Sequence, residues 1–70
     1  MPTETFFNLS TEKKDRILRA ARKEFSSVSL KEASISNIIR EADIPRGSFY
    51  QYFEGKEDLY FYYFHSIGRD

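Results

Sequence analysis

Between positions 34 and 59 the apolar residues fall into two short helical periods with a break between them. Ile35, Ile38, Ile39 and Ala42 follow the i, i+3, i+4, i+7 spacing of one buried helical face. Ser34 comes just before, where its hydroxyl can accept a hydrogen bond from an orphan backbone N–H. The period stops at Asp43. Aspartate is one of the few residues besides glycine that enter the left-handed region with little strain. Pro45 then pushes Ile44 into an extended conformation. Lacking an N–H, Pro45 also suits the start of a new helix. In that second segment Phe49 and Phe53 are four apart and share the inward face, leaving Arg46, Tyr50 and Gln51 on other faces. The pattern predicts helix, tight turn and helix over about residues 34–53.

Upstream, Ile17, Leu18, Ala21 and Phe25 mark a first helix from about Thr11 to Ser26, capped by Ser10. Arg16, Arg19 and Lys23 line its opposite face, which reads as a solvated surface, with a DNA-facing role as the other reading. Residues 1–9 show no sustained period and read as an arm, with Phe6 or Phe7 available to staple it to the first helix. A frayed terminus is the other reading. Residues 26–33 form a short connection anchored by Val28 and Leu30, with Lys31 placed to reach a phosphate. Downstream, a last helix starts near Lys56, with Glu57 and Asp58 in the first turn where carboxylates suit the dipole. Leu59, Tyr60, Tyr63, Phe64 and Ile67 form its broad apolar stripe, and Phe61 and Tyr62 fall on other faces. A helix apolar nearly all round is normally buried nearly all round, which 70 residues cannot achieve. The stripe predicts a packing partner beyond this domain. The fold expected is all-α: a three-helix domain with a helix-turn-helix over residues 10–55, and a fourth helix beginning at 56–70.

Two readings of residues 34–53 follow from spacing alone. In one, the second helix enters the major groove of DNA. Arg46 supplies a fork that reads guanine, Gln51 can pair with adenine, and serine or tyrosine hydroxyls reach phosphates. Gly47 then lets the duplex approach the backbone closely. In the other, the segment is a plain three-helix core, Gly47 relieves crowding between helices, and the tyrosines are merely amphipathic.

The run Pro45-Arg46-Gly47-Ser48-Phe49-Tyr50-Gln51-Tyr52-Phe53, followed by Gly55-Lys56-Glu57-Asp58-Leu59, resembles the signature of the TetR family of transcriptional repressors. That signature reads roughly Ser-Arg-Gly-Thr-Phe-Tyr-x-Tyr-Phe-x-x-Lys-Glu-x-Leu. The resemblance extends from about Ser10 to about Ile67. It implies a helical DNA-binding domain followed by a separate all-helical domain, absent here, for effector binding and dimerisation. It also implies a homodimer on a roughly palindromic operator. Ser34 falls where the family holds a phosphate-binding threonine. Asp43 stands where the family has glycine, Pro45 where it has a capping serine or threonine, and Gly55 where it commonly has serine or threonine. The expected DNA-binding residues are Arg46, Gly47 and Gln51 at bases, and Ser34, Ser48, Tyr50, Tyr52 and Lys56 at phosphates.

Charge and composition narrow the field. The formal net charge is zero, so a lone unit has little non-specific attraction for nucleic acid. The distribution is uneven: residues 1–33 carry seven basic and five acidic side chains, and residues 57–70 one basic and three acidic. Without cysteine there is no disulfide or thiolate metal site. There is no signal-peptide pattern and no membrane-spanning run, so the setting expected is cytoplasmic with no membrane partner. No catalytic constellation, metal cluster or cofactor motif is present in the sequence, and the lone His65 reads as a surface or interface residue. The rival function is a helical protein-interaction module that uses the aromatic face of the last helix.

Overall fold

A computed structural model of the chain describes residues 1–66. Its helices are α1 (Glu4–Phe7), α2 (Thr11–Ser27), α3 (Ile35–Ala42), α4 (Arg46–Tyr52) and α5 (Lys56–Ser66), with a 3-10 turn at Leu30–Glu32 between α2 and α3. The all-helical fold expected from the sequence is observed. α2 to α5 lie within a residue or so of the predicted spans, and α1 is an addition to them.

Phe6, Ile17, Ile38, Phe49, Phe53 and Leu59 are the largest fully buried side chains, and they form one core with Ala20, Ala21, Ala42 and Tyr63. Phe25, expected in the core, is half-buried at its edge, where its ring meets Tyr60 edge-on. Val28 and Leu30 are also only half-buried, and Ala33 is the buried residue of that connection.

α3 is fastened to α2 at both ends. Glu24 accepts from the Ser34 backbone N–H at 2.8 Å and from Asn37 Nδ2 at 3.2 Å, at the electropositive start of α3. Arg16 Nε donates to the Ala42 carbonyl at 3.0 Å, at the electronegative end. Eight residues separate Arg16 from Glu24, about 12 Å along a helix, which matches the eight-residue length of α3. The two helices therefore run antiparallel, with complementary charge at each end. Arg16, placed by the sequence on a solvated face, holds this joint. The exposed Lys23–Glu41 pair at 3.2 Å adds little.

The turn after α3 is a Schellman motif. Asp43 sits at φ 61°, ψ 48°, as the left-handed reading of that position predicts. The Asp43 N–H donates to the Arg40 carbonyl and the Ile44 N–H to the Ile39 carbonyl, and Ile39 and Ile44 both pack on the core. This turn aims α4. Replacing Asp43 by glycine relieves the left-handed strain, partly offset by the flexibility glycine adds to the unfolded chain. Asp43→Gly is expected to raise stability by up to about 1 kcal/mol, a shift of several degrees in a domain of this size, read by thermal melting. A lower melting temperature would mean the aspartate side chain stabilises the turn in some further way.

Residues 1–9 carry a short helix that the sequence pattern does not show, docked through Phe6. Thr3 caps α1 by accepting from the Phe6 N–H, and it also reaches the end of α4: its N–H donates to the Tyr52 carbonyl at 2.9 Å and its Oγ1 to the Gln51 carbonyl at 2.6 Å. Phe6 is fully buried, its ring 5.0 Å from Phe53 and 5.5 Å from Tyr62. The Met1 amine lies 2.7 Å from Asp58 Oδ1, which raises its pKa. Tyr62 of α5 packs against Phe6 and Phe7 of α1, while α5 buries Leu59 and Tyr63 and leaves Phe61 and Phe64 exposed. Ile67 lies outside the described residues. Phe7, Phe61, Tyr62, Phe64 and His65 line an open groove of about 740 Å³.

Candidate nucleic-acid interface

α4 presents two faces. At 3.6 residues per turn, Gly47 and Gln51 lie roughly opposite Phe49, the buried anchor of the helix. Arg46, Gly47, Tyr50 and Gln51 are exposed, and Ser48 and Tyr52 are half-buried flanks. Pro45 stands at the N-cap position with φ −67°, ψ 153° and offers no side-chain cap. Its carbonyl takes the Ser48 and Phe49 N–H groups at 3.1 and 3.3 Å.

Gly47 discriminates between the two readings of this segment. A Cβ added there meets nothing within 4 Å, and the residue does not have positive φ. Neither crowding between helices nor backbone conformation requires a glycine at that position. Glycine instead costs about 1 kcal/mol relative to alanine in a helix. The notch it leaves opens to solvent, flanked by Arg46, Tyr50 and Gln51.

The first turn of α3 lies beside this face. Arg46 donates through Nη2 to Ser36 Oγ, bridging the starts of α3 and α4. Ser34 caps α3 by accepting from the Asn37 N–H at 3.1 Å, as predicted, and its hydroxyl proton is left for a further acceptor. Lys56 Nζ donates to the Lys31 carbonyl at 2.8 Å and the Ala33 carbonyl at 2.9 Å. The ammonium thus fastens the 3-10 turn to α5 and retains a third proton and its charge. Ser34, Arg46 and Lys56 accordingly gather at the start of α3. Tyr50 and Gln51 continue along the outward face of α4. Tyr52 lies at the far flank, its ring edge-on to Phe6 at 6.3 Å. Ser36 was not among the residues singled out by sequence. Its small polar side chain in the first turn of α3 was a signal, but its bond to Arg46 depends on how the two helices are set.

Arg46 and Lys56 are the cations that hydrogen bonds hold here, on Ser36 and on the Lys31 and Ala33 carbonyls, whereas Glu41 faces Lys23 of α2. Among the described residues, no group of three or more His, Cys, Asp or Glu side chains could hold a metal ion. No helix among them is long and apolar enough to cross a membrane.

Comparison with known proteins places this arrangement. A family model described as bacterial regulatory proteins, tetR family, matches residues 17–66. YdgC of Bacillus subtilis (strain 168), an uncharacterized HTH-type transcriptional regulator, is 39% identical over 49 residues, which cover 70% of this chain and 25% of that protein. The crystal structure of a TetR family transcriptional regulator from Chloroflexus aurantiacus J-10-FL is similar with a TM-score of 0.82 and 48% identity, over 89% of this chain and 29% of that one. The chain thus spans between a quarter and a third of the length of these relatives.

Proposed function

Because the chain belongs to the tetR family of bacterial regulatory proteins, matched over residues 17–66, we propose that α4 is its recognition helix and reads an operator in the major groove. The observation that carries this reading is Gly47, a helical glycine that neither packing nor backbone conformation requires, at the centre of an exposed face rich in hydrogen-bonding groups. Arg46 contacts a guanine edge and Gln51 a neighbouring base, with Gly47 admitting the duplex between them. Ser34, Ser48, Tyr50, Tyr52 and Lys56 position the backbone through phosphates. Tyr52 and Lys56 also serve the fold, through Phe6 and through the carbonyls of Lys31 and Ala33.

The wider reading is a cytoplasmic, ligand-responsive repressor that binds a palindromic operator as a homodimer. Zero net charge supports the dimer, since a single unit gains little from phosphate attraction alone. Two linked units on half-sites one helical turn apart raise the effective concentration and add a factor of about 10² to 10⁴. The exposed Phe61 and Phe64 face of α5 is where a dimerisation and effector domain would pack.

The test starts from randomised duplex DNA selected with the chain, followed by titrations of single-base variants at two salt concentrations. Arg46→Ala is expected to cost roughly 1–3 kcal/mol and to relax preference at one position. Lys56→Ala is expected to weaken all sequences alike, to lower the salt slope by about 1, and also to reduce thermal stability through the two carbonyl bonds it removes. Equal, sequence-independent losses for both variants would contradict base reading by Arg46.

A further inference from the structure

The bond from Arg46 to Ser36 joins the first residue of α4 to the first turn of α3. Both side chains are exposed, so neither the core nor a buried polar group requires it. An exposed arginine without such a tie samples many rotamers, and immobilising it on a ligand opposes binding. Serine spends one acceptor position here and retains its own proton, and the guanidinium spends one of five N–H donors. The remaining fork is free, and its plane is set from the neighbouring helix. α3 is itself immobilised by Glu24 at one end and Arg16 at the other, so Ser36 is a fixed point.

We propose that Ser36 is a positioning residue for base reading: it presets the orientation of the Arg46 fork and so sharpens specificity at the base pair Arg46 reads. This rests on α4 being the recognition helix. Ser36 acts through Arg46, and the two behave as one unit split between helices.

The experiment is a double-mutant cycle on the chain. Wild type, Ser36→Ala, Arg46→Ala and the double variant are titrated against the duplex selected by wild type and all its single-base variants. Ser36→Ala is expected to weaken the selected duplex about three- to tenfold, and to flatten preference at the same base pair as Arg46→Ala. It should have no further effect in the Arg46→Ala background, and Ser36→Thr, which keeps the hydroxyl, should restore preference. Without DNA, the ¹⁵N order parameter of the Arg46 Nε–Hε bond should fall in Ser36→Ala and stay high in Ser36→Thr. Loss of preference at a different base pair, adding fully to that of Arg46→Ala, would show that Ser36 meets DNA itself and would overturn the proposal. Unchanged preference in a folded Ser36→Ala chain would overturn it alone. A wild-type chain with no preference among duplexes would remove the recognition-helix reading and this proposal with it.

Discussion

Gly47→Val is expected to leave the domain folded and to reduce operator binding by roughly 10³-fold or more, the gap that typically separates specific from non-specific affinity. The structure separates the two effects. A Cβ at position 47 meets nothing within 4 Å, so the side chain of a substituted residue starts into open space in the free chain. Valine is also no worse a helix former than glycine, so the melting temperature should hold or rise slightly. A body that docks on α4 meets the new side chain on this open side. Circular dichroism, thermal melting and duplex titration of the same preparation read all three quantities. Gly47→Ala should fall between the two, because one methyl group fills less of the notch. Wild-type affinity in a folded Gly47→Val chain would show that no duplex approaches this surface.

Phe6→Ala is the substitution expected to damage the fold most among those near the N-terminus. The ring is fully buried between Phe53 and Tyr62, so truncation should cost about 3–5 kcal/mol. A domain of 70 residues has roughly 4–10 kcal/mol in total. The variant should therefore be partly or largely unfolded at ambient temperature. Phe7→Ala removes a ring that is 39% exposed and should cost about 1 kcal/mol or less. Denaturant titration of the pair gives the contrast. Equal, small losses would return residues 1–9 to a frayed arm. The difference bears on function because Thr3, at the head of α1, holds the Gln51 and Tyr52 carbonyls at the end of α4. Loosening α1 frees the end of α4, the proposed recognition helix.

The helix-turn-helix was legible because its cues are local. Four apolar residues at helical spacing define α3, Asp43 and Pro45 punctuate the turn, and Phe49 and Phe53 orient α4. The structure reproduces each within a residue, down to the left-handed Asp43. α1 escaped because four residues are too few to show a period, and its stability comes from Phe6 entering a core assembled from α2 to α5. The functions of Arg16, Glu24 and Lys56 within the fold were hidden by distance along the chain. Their partners lie 26, 10 and 25 residues away, and charge pattern on one helix gives no view of a backbone carbonyl or N–H in another element. The candidate site divides the same way. Residues on α4 were found from the motif, whereas the Ser36 contribution required the packing of two helices.

The central claim, that the outward face of α4 meets DNA, is tested most directly by titrating the ¹⁵N-labelled chain with the selected duplex and following backbone amide shifts. The account predicts the largest changes at Arg46 to Gln51 and at Ser34 to Asn37, with Phe7, Phe61 and Phe64 nearly unmoved. Changes confined to Phe7, Phe61 and Phe64, with α4 silent, would contradict it and make the aromatic face of α5 the binding surface.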